Sequence, residues 1–308
     1  MTESLPPVHL AGNCAVDVTI ENTAGNVRRK DTSSTGRIQI IYEAPETLLA
    51  GNAGWPAYLL ATMGHPVQLN SKVGHDPFGI FLRQKLAAVG VELVGPDAAA
   101  TPVSILPATE GGLSGGVIYP GEPIAWSASL PALESATNPR WFFVSGYGGV
   151  RPTDAAELLS LFVKLHERQV QIVFDPGPWF AGRVGRQEML DLFSKVHCLC
   201  GTESELGHWF AEGDSEAIAR SALESGAGMV VLKQGPAGAT FVSTSGESDH
   251  VSTTPVTKAT AIAAGDTFNA GLLHGLSTCM PLREAVSHAV SIATELVRVG
   301  RGSFALSR

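Results

Sequence analysis

The sequence has 308 residues, of which 44% are hydrophobic, and its formal net charge is −8. This length and apolar content suffice for a sizeable buried core in one large or two small domains. The negative charge disfavours a nucleic acid or an anionic membrane surface as the main partner, because both would repel it. No apolar run reaches the roughly 20 residues of a membrane span. The opening MTESLPPVHL lacks a signal-peptide pattern, so we expect a cytoplasmic protein.

Two stretches, residues 14–46 and 101–127, have β-type alternation without a helical pattern between their strands. Gly, Pro and Thr interrupt both of them. We expect the two stretches to form one small β layer together, or alternatively two separate hairpins on the surface.

From about residue 53 the sequence alternates between helical and strand patterns. GWPAYLLATMG predicts a helix opened by Pro56 and closed by Gly64, VQLNS a strand, PFGIFLRQKLAAVG a helix and VELV a strand. The order returns in WFFVSG, TDAAELLSLFVKLHERQ and QIVFD, and GMVVLK is a later strand. This alternation predicts an α/β fold with a doubly wound, mostly parallel sheet and helices on both faces. No linker divides the chain, so we expect a single domain over residues 1–308.

The four cysteines are Cys14, Cys198, Cys200 and Cys279, without a CxxC pair, which indicates reduced thiols. In VHCLCG, two of them and His197 are candidate zinc ligands. The alternation of this stretch favours a buried strand instead.

The stretch AAGDTFNAGLLHGL contains one acidic residue, Asp266. Apolar residues follow at helical spacing up to Leu276, which predicts a helix that begins near Asp266. Ala263, Ala264 and Gly265 would leave the first amides of that helix open to a phosphate or an oxyanion. Asp266 could then accept a proton from an attacking hydroxyl. The alternative interpretation is an ordinary helix cap, since Asp is common at this position.

AAGDTFNAG resembles the C-terminal signature of the ribokinase/PfkB family of carbohydrate kinases. Other stretches agree in the family's order: GNCAVDVTI, AGNAGWPAYLLATMG, SKVGHDPFG, FDPGPW, TESEL and VVLKQGPAGA. Together they cover nearly the whole chain. The resemblance implies a ribokinase-like fold in which residues 14–46 and 101–127 form a small β lid over the substrate. It also implies ATP-dependent phosphorylation of a hydroxymethyl group on a sugar or sugar-like compound.

The resemblance assigns catalytic roles to four residues. Asp266 would be the base, and the backbone of Ala263, Ala264 and Gly265 would form an anion hole for the transferring phosphoryl group. The Walker pattern GxxxxGK[ST] is absent, so any phosphate transfer uses another cradle.

The resemblance also assigns a nucleotide and metal side, with ATP and Mg²⁺ as cofactors. Lys233, Gly235 and Gly238 fall in the family's nucleotide loop. Glu205 aligns with the glutamate that organises the Mg²⁺–phosphate network, and Thr202 stands where the family usually has Asn. From the residues alone, Glu205 could equally be a solvated helix residue.

On the substrate side, Asp17 falls at the family position that binds sugar hydroxyls, and Gly51 and Asn52 resemble part of its sugar-binding GGN loop. Trp55 replaces a sugar-binding Asn. Its indole could stack on a ring or a planar group, so we expect ribose and fructose to be poor substrates. Alternatively, Trp55 belongs to the core. The resemblance further suggests a homodimer through the lid.

Thr260, Ala261 and Ile262 replace the cation-binding head of the family signature DTTGAGD. We therefore expect little difference between K⁺ and Na⁺. Other functions stay open: a non-catalytic ligand-binding or regulatory relative, or a nucleoside kinase. A nicotinamide dehydrogenase is disfavoured because no GxGxxG follows the first strand.

Overall fold

The fold is taken from a computed structural model. It describes residues 5–21, 27–29, 39–41, 44–109, 112–113, 115–131, 141–210, 213–256 and 261–306. Thr260 therefore lies outside the described residues. No helix in these ranges combines the length and the apolar character needed to cross a membrane.

The described strands are numbered in chain order. They are β1 (Val8–Ala11), β2 (Ala15–Glu21), β3 (Val27–Arg29), β4 (Gln39–Ile41), β5 (Glu46–Ala50), β6 (Val67–Asn70), β7 (Val91–Leu93), β8 (Val103–Thr109), β9 (Gly112–Leu113), β10 (Val117–Tyr119), β11 (Trp141–Ser145), β12 (Gln171–Asp175), β13 (Cys198–Thr202), β14 (Met229–Lys233), β15 (Ala239–Ser243) and β16 (Ser248–Val251).

The α-helices are numbered in the same way. They are α1 (Gly54–Thr62), α2 (Pro77–Ala88), α3 (Asp154–Glu167), α4 (Arg186–Phe193), α5 (Glu203–Gly207), α6 (Ser215–Glu224), α7 (Ala264–Ser277), α8 (Leu282–Val299) and α9 (Arg301–Leu306). Short 3₁₀ turns occupy Trp126–Ser129 and Gly235–Ala237. The predicted helices and strands of residues 53–94 and 141–175 are confirmed, as is the strand in GMVVLK.

Nine strands form the main sheet, in the order β16-β15-β14-β13-β12-β11-β1-β6-β7. The seven strands from β14 to β7 run parallel, and β15 and β16 add an antiparallel edge. Consecutive residues along a strand point to opposite faces of the sheet and pack in different cores. Phe143 packs in the core shared with α1, α7 and α8, whereas Phe142 packs in the core shared with α3, α4 and α6. The predicted α/β architecture, with helices on both faces, is confirmed.

A second, smaller sheet has the strand order β10-β8-β2-β5, and β9 pairs with β8. Strand β2, from the stretch 14–46, pairs in parallel with β8, from the stretch 101–127. The two stretches therefore form one β layer, and the alternative of two separate hairpins is wrong. Strands β3 and β4 form a ladder of their own.

The Cys-rich stretch is a buried strand, as its alternation predicts. Cys198 and Cys200 face one core of the main sheet, and Leu199 faces the other. The Nδ1 of His197 accepts a hydrogen bond from the Ile172 amide at 3.0 Å. Among the described residues, no group of His, Cys, Asp and Glu side chains is arranged to hold a metal ion. The zinc alternative for this stretch is therefore not supported.

Candidate active site

Polar side chains meet at the carboxyl ends of three neighbouring strands of the main sheet. Asp175 ends β12, Thr202 ends β13 and Lys233 ends β14. The first turn of α7 lies beside them, since a Cβ added to Gly265 would be 3.8 Å from the Lys233 Nζ. In open α/β sheets, ligands bind at this edge.

The start of α7 is a turn made of small residues. Ala263 adopts the left-handed conformation with φ of 63°, which is uncommon outside glycine. The amide of Ala264 donates to the Ala261 carbonyl at 3.2 Å, and that of Thr267 donates to the Ala263 carbonyl at 2.9 Å. The two amides between them, of Gly265 and Asp266, donate to no described residue. Within the described part of the chain they are therefore unpaired helix N-terminal donors, of the kind that binds anions.

Asp266 is half-buried behind this turn. The Nδ2 of Asn52 donates to its Oδ1 at 3.1 Å. Burial raises the pKa of Asp266 from 3.8 to about 6, because ionisation is less favourable away from water. The charge of Lys233 opposes this rise, whereas the charge of Asp175 adds to it. The result is a carboxylate that is ionised at neutral pH and more basic than an ordinary aspartate.

Lys233 is held in a buried network next to Asp266. Its Nζ donates to Asp175 Oδ2 at 2.7 Å and to Asn269 Oδ1 at 3.4 Å. The Nδ2 of Asn269 donates to the same Asp175 oxygen at 2.7 Å. Burial alone would lower the pKa of Lys233, but the Asp175 carboxylate raises it well above its usual range. The site therefore contains a fixed positive charge beside the N-terminal amides of α7.

Glu205 lies in the first turn of α5 and joins that helix to the site. Its Oε2 accepts from the Thr202 amide at 2.8 Å, which completes a capping box. Its Oε1 accepts from the Tyr147 hydroxyl at 3.0 Å. Burial and the neighbouring Glu205 charge raise the pKa of Tyr147, so the hydroxyl keeps its proton and donates. Glu205 is 9% exposed, which does not fit the alternative of a solvated helix residue.

A cavity of about 330 Å³ opens on the other side of the Gly265 turn. Lys233, Gly235, Gly238 and Gly265 line it next to the polar network. Its remaining wall is mostly apolar and comes from α7, α8 and the segment after β16. That wall is formed by Thr253, Thr254, Pro255, Val256, Phe268, Val290, Ala293, Thr294 and Val297. Gly238 needs its positive φ of 109°, and a Cβ there would come 1.9 Å from the Val251 carbonyl oxygen.

The predicted substrate residues approach Asp266 from the small-sheet side. Asp17 lies on β2, and its Oδ2 accepts from Arg301 Nη1 at 2.7 Å. Both the Asp17 and the Arg301 charges act on the pKa of Asp266. Gly51 has φ of 92°, and a Cβ there would come 2.4 Å from the Asn13 carbonyl oxygen. A glycine is thus required next to Asn52.

Trp55 does not face this space. Its side chain is 2% exposed, stacks on Tyr58 at 5.7 Å between ring centroids, and donates from Nε1 to Thr267 Oγ1 at 2.8 Å. The indole thus finds both apolar contacts and a hydrogen-bond acceptor inside the protein. The expectation that Trp55 stacks on a substrate is contradicted, and its core alternative is the observed one. The expectation of poor ribose and fructose turnover loses its basis.

Four residues of the site were not anticipated from the sequence: Tyr147, Asp175, Asn269 and Arg301. Two of them had a local signal. Asp175 lies in FDPGPW, one of the family-like stretches, and Asn269 falls one helical turn after Asp266. Tyr147 and Arg301 had none, because their partners Glu205 and Asp17 are distant in the sequence.

Several solved structures share this fold at low sequence identity. A protein from E. coli solved with ATP and Mg²⁺ has a TM-score of 0.75 at 18% identity, over 96% of this chain and 93% of that one. The ribokinase of Arabidopsis thaliana, complexed with ribose and ATP, has a TM-score of 0.74 at 18% identity, over 96% and 94%. Aminoimidazole riboside kinase from Salmonella enterica has a TM-score of 0.71 at 17% identity, over 97% and 95%.

No curated protein matches the sequence significantly. The family model described as "pfkB family carbohydrate kinase" matches residues 43–306. This range contains most of the main sheet, the turn at Gly265 and Asp266 itself. The chain therefore belongs to the pfkB family of carbohydrate kinases.

Proposed function

We propose that this protein transfers the γ-phosphoryl group of ATP to a hydroxymethyl group of a sugar or sugar-like compound. The observation that carries this proposal is Asp266. It is a half-buried carboxylate with a pKa raised to about 6, next to two helix amides that have no partner among the described residues. On one side lies the cavity, and on the other lie Asn52 and Asp17. In this function, residues 1–308 act as a single kinase domain whose small sheet is the lid.

Asp266 is the general base in this proposal. A base is most useful when its pKa lies near the working pH, because it is then both ionised and able to hold a proton. The anion hole proposed at Ala263, Ala264 and Gly265 stabilises charge on the transferring phosphoryl group. The Ala264 amide already donates to the Ala261 carbonyl, so the donors of the anion hole would be the amides of Gly265 and Asp266, which are unpaired among the described residues. The side chains there are small, so the phosphate oxygens of the nucleotide and the acceptor hydroxyl can approach the backbone closely. Lys233 adds a positive charge next to this turn, because its Nζ would lie 3.8 Å from a Cβ placed on Gly265.

ATP occupies the cavity, with its base against the apolar wall and its phosphates towards Lys233, Gly235 and Gly238. Two of the similar structures contain ATP, which supports this choice of nucleotide. Mg²⁺ would neutralise phosphate charge when it is bound. Glu205 is the candidate to hold it through water, because both carboxylate oxygens already accept protein hydrogen bonds and Mg²⁺ keeps much of its hydration.

The acceptor lies between the small sheet and α7, near Asp17, Gly51 and Asn52. Asn52 donates to Asp266, so it can orient the carboxylate towards the acceptor hydroxyl. A nucleoside is the second candidate acceptor, because one similar structure is a riboside kinase. The homodimer through the lid stays a prediction. The exposed apolar side chains of the small sheet, Ile105, Val117, Ile118 and Tyr119, support it.

The Asp266→Asn variant tests this function. It deletes the base but keeps the size of the side chain, so turnover should fall about 10²- to 10⁴-fold while nucleotide affinity is unchanged. The measurement is ADP formation with a panel of sugars and nucleosides, beside calorimetric binding of an ATP analogue. Asp214→Asn is the matched control, since Asp214 caps α6 by accepting from the Ala217 amide at 2.9 Å. Turnover of Asp266→Asn within threefold of the wild type, or a wild type without turnover, would contradict the proposal.

A further inference from the structure

The loop between β14 and β15 cannot be anchored by its own side chains. It consists of Gly235, Pro236, Ala237 and Gly238, which have no polar side-chain atoms. The amides of Ala237 and Gly238 donate at 3.1 Å to the carbonyls of Gln234 and Gly235, and so close the turn on itself. The first three of these residues are exposed. A side chain that holds the loop to the rest of the protein must therefore come from a flanking residue.

The two residues before the loop project to different sides. Lys233 enters the buried network beside Asp266. Gln234 instead reaches the starts of α5 and α6, where its Nε2 donates to Ser215 Oγ at 2.7 Å and to Glu203 Oε1 at 3.2 Å. Both amide hydrogens are thus used.

The amide oxygen of Gln234 is paired as well. It accepts from Thr240 Oγ1 at 2.9 Å, and Thr240 lies on β15, beyond the loop. One half-buried side chain therefore connects both ends of the loop to the first turns of two helices.

The helix partners of Gln234 are also bonded to each other. The Ser215 hydroxyl donates to the same Glu203 oxygen that Gln234 contacts. Gln234, Glu203 and Ser215, here called the Gln234 cluster, thus form a ring in which each side chain bonds the other two. Donors and acceptors match throughout, and a fully paired network favours one arrangement over others. Removal of one member would weaken the two that stay.

The Gln234 cluster lies behind two walls of the 330 Å³ cavity and does not line it. One wall is Thr202, the N-cap residue of α5, which directly precedes Glu203. The other is the loop, which lines the cavity through Gly235, Pro236 and Gly238. The cluster therefore sets how far apart these two walls stand.

We propose that Gln234 is a positioning residue for the nucleotide. By tying the loop to α5, it presents a preformed wall to the phosphates of ATP. A wall that is already ordered costs less conformational entropy when the ligand binds, so the nucleotide binds more tightly. The inference rests on the proposed function, because it concerns the nucleotide site of that function. It gives Gln234 a role in nucleotide affinity without any contact with the reacting atoms.

Gln234→Leu tests this role by calorimetry with AMP-PNP, a non-hydrolysable ATP analogue. Leucine is similar in size but neither donates nor accepts, so the loop loses its side-chain anchor. The Kd of AMP-PNP should rise at least threefold and up to about tenfold. In turnover assays with the best acceptor of the sugar and nucleoside panel, the KM for ATP should rise by more than kcat falls. Gln187→Leu is the matched control, because Gln187 donates to Asp191 at 2.9 Å on the exposed side of α4. Its Kd should equal that of the wild type.

Ser215→Ala shows whether the effect passes through Gln234. It removes an acceptor of Gln234 that lies outside the cavity, so alone it should raise the Kd about twofold, and combined with Gln234→Leu it should add nothing. If Gln234→Leu does not fold, Gln234→Asn takes its place, since its amide is one carbon too short to reach the same partners.

The inference is wrong if folded Gln234→Leu binds AMP-PNP with less than a threefold loss. It is also wrong if Gln187→Leu weakens binding equally, or if Ser215→Ala adds its full effect to Gln234→Leu. A wild type that does not bind AMP-PNP would overturn the nucleotide cavity and this inference with it. A wild type that binds AMP-PNP but transfers no phosphate would contradict the proposed function alone.

Discussion

Asp266→Asn should stabilise the folded protein at neutral pH, even though the proposed function expects it to slow phosphoryl transfer. Burial raises the pKa of Asp266 from 3.8 to about 6. At about 1.36 kcal/mol per pKa unit, this rise makes the ionised carboxylate cost up to about 3 kcal/mol of folding free energy. The folded state keeps a proton that the unfolded state has released, so this cost grows as pH rises from about 4 to 6. Asparagine removes the charge and can still accept the hydrogen bond from Asn52.

Urea unfolding at two pH values measures this effect. Near neutral pH the variant should be more stable than the wild type by about 2–3 kcal/mol, and near pH 4 by less than about 1 kcal/mol. Asp214→Asn is again the control. Its cap is exposed and asparagine caps equally well, so its stability should match the wild type at both pH values. A less stable Asp266→Asn protein, or an equal gain at both pH values, would refute the reasoning.

Three further predictions concern the site and the core. Lys233→Met should raise the pH midpoint of kcat/KM by about one unit or more, because the Lys233 charge lowers the pKa of Asp266. The double variant Lys233→Met/Asp175→Asn should bring the midpoint back towards the wild-type value. A Lys233→Met profile with an unshifted midpoint would contradict this coupling. Trp55→Phe loses a buried hydrogen bond of 2.8 Å and should cost about 1–2 kcal/mol of stability, with the KM for the acceptor unchanged. A raised acceptor KM without loss of stability would indicate instead that Trp55 contacts the substrate. Burial lowers the pKa of His9 from 6.5 to about 4, so folding should lose up to about 3 kcal/mol as pH falls between these values. His9→Gln should flatten that part of the urea-midpoint profile, and an unchanged profile would argue against it.

The sequence by itself determined the order and type of most elements. Runs such as WFFVS and QIVFD have the continuous apolar character of strands buried on both faces, and amphipathic helices separate them. The small-residue turn before Asp266 also followed from local pattern, because a helix N-terminus is encoded by the few residues around it. The one-layer arrangement of the two β stretches did not, since pairing of β2 with β8 is a contact between distant segments.

Only the tertiary structure decided which side chains meet. The Lys233–Asp175 bond joins residues 58 positions apart, and the Arg301–Asp17 bond joins residues 284 positions apart. Sequence spacing gives no information on such pairs, because they depend on how helices and strands pack. Trp55 shows the same limit. A tryptophan at a helix start can face a ligand or the core, and here its Nε1–H found an acceptor on α7. Local pattern thus fixes the backbone elements, whereas burial and charge partners, which set pKa values and specificity, arise only when those elements pack together.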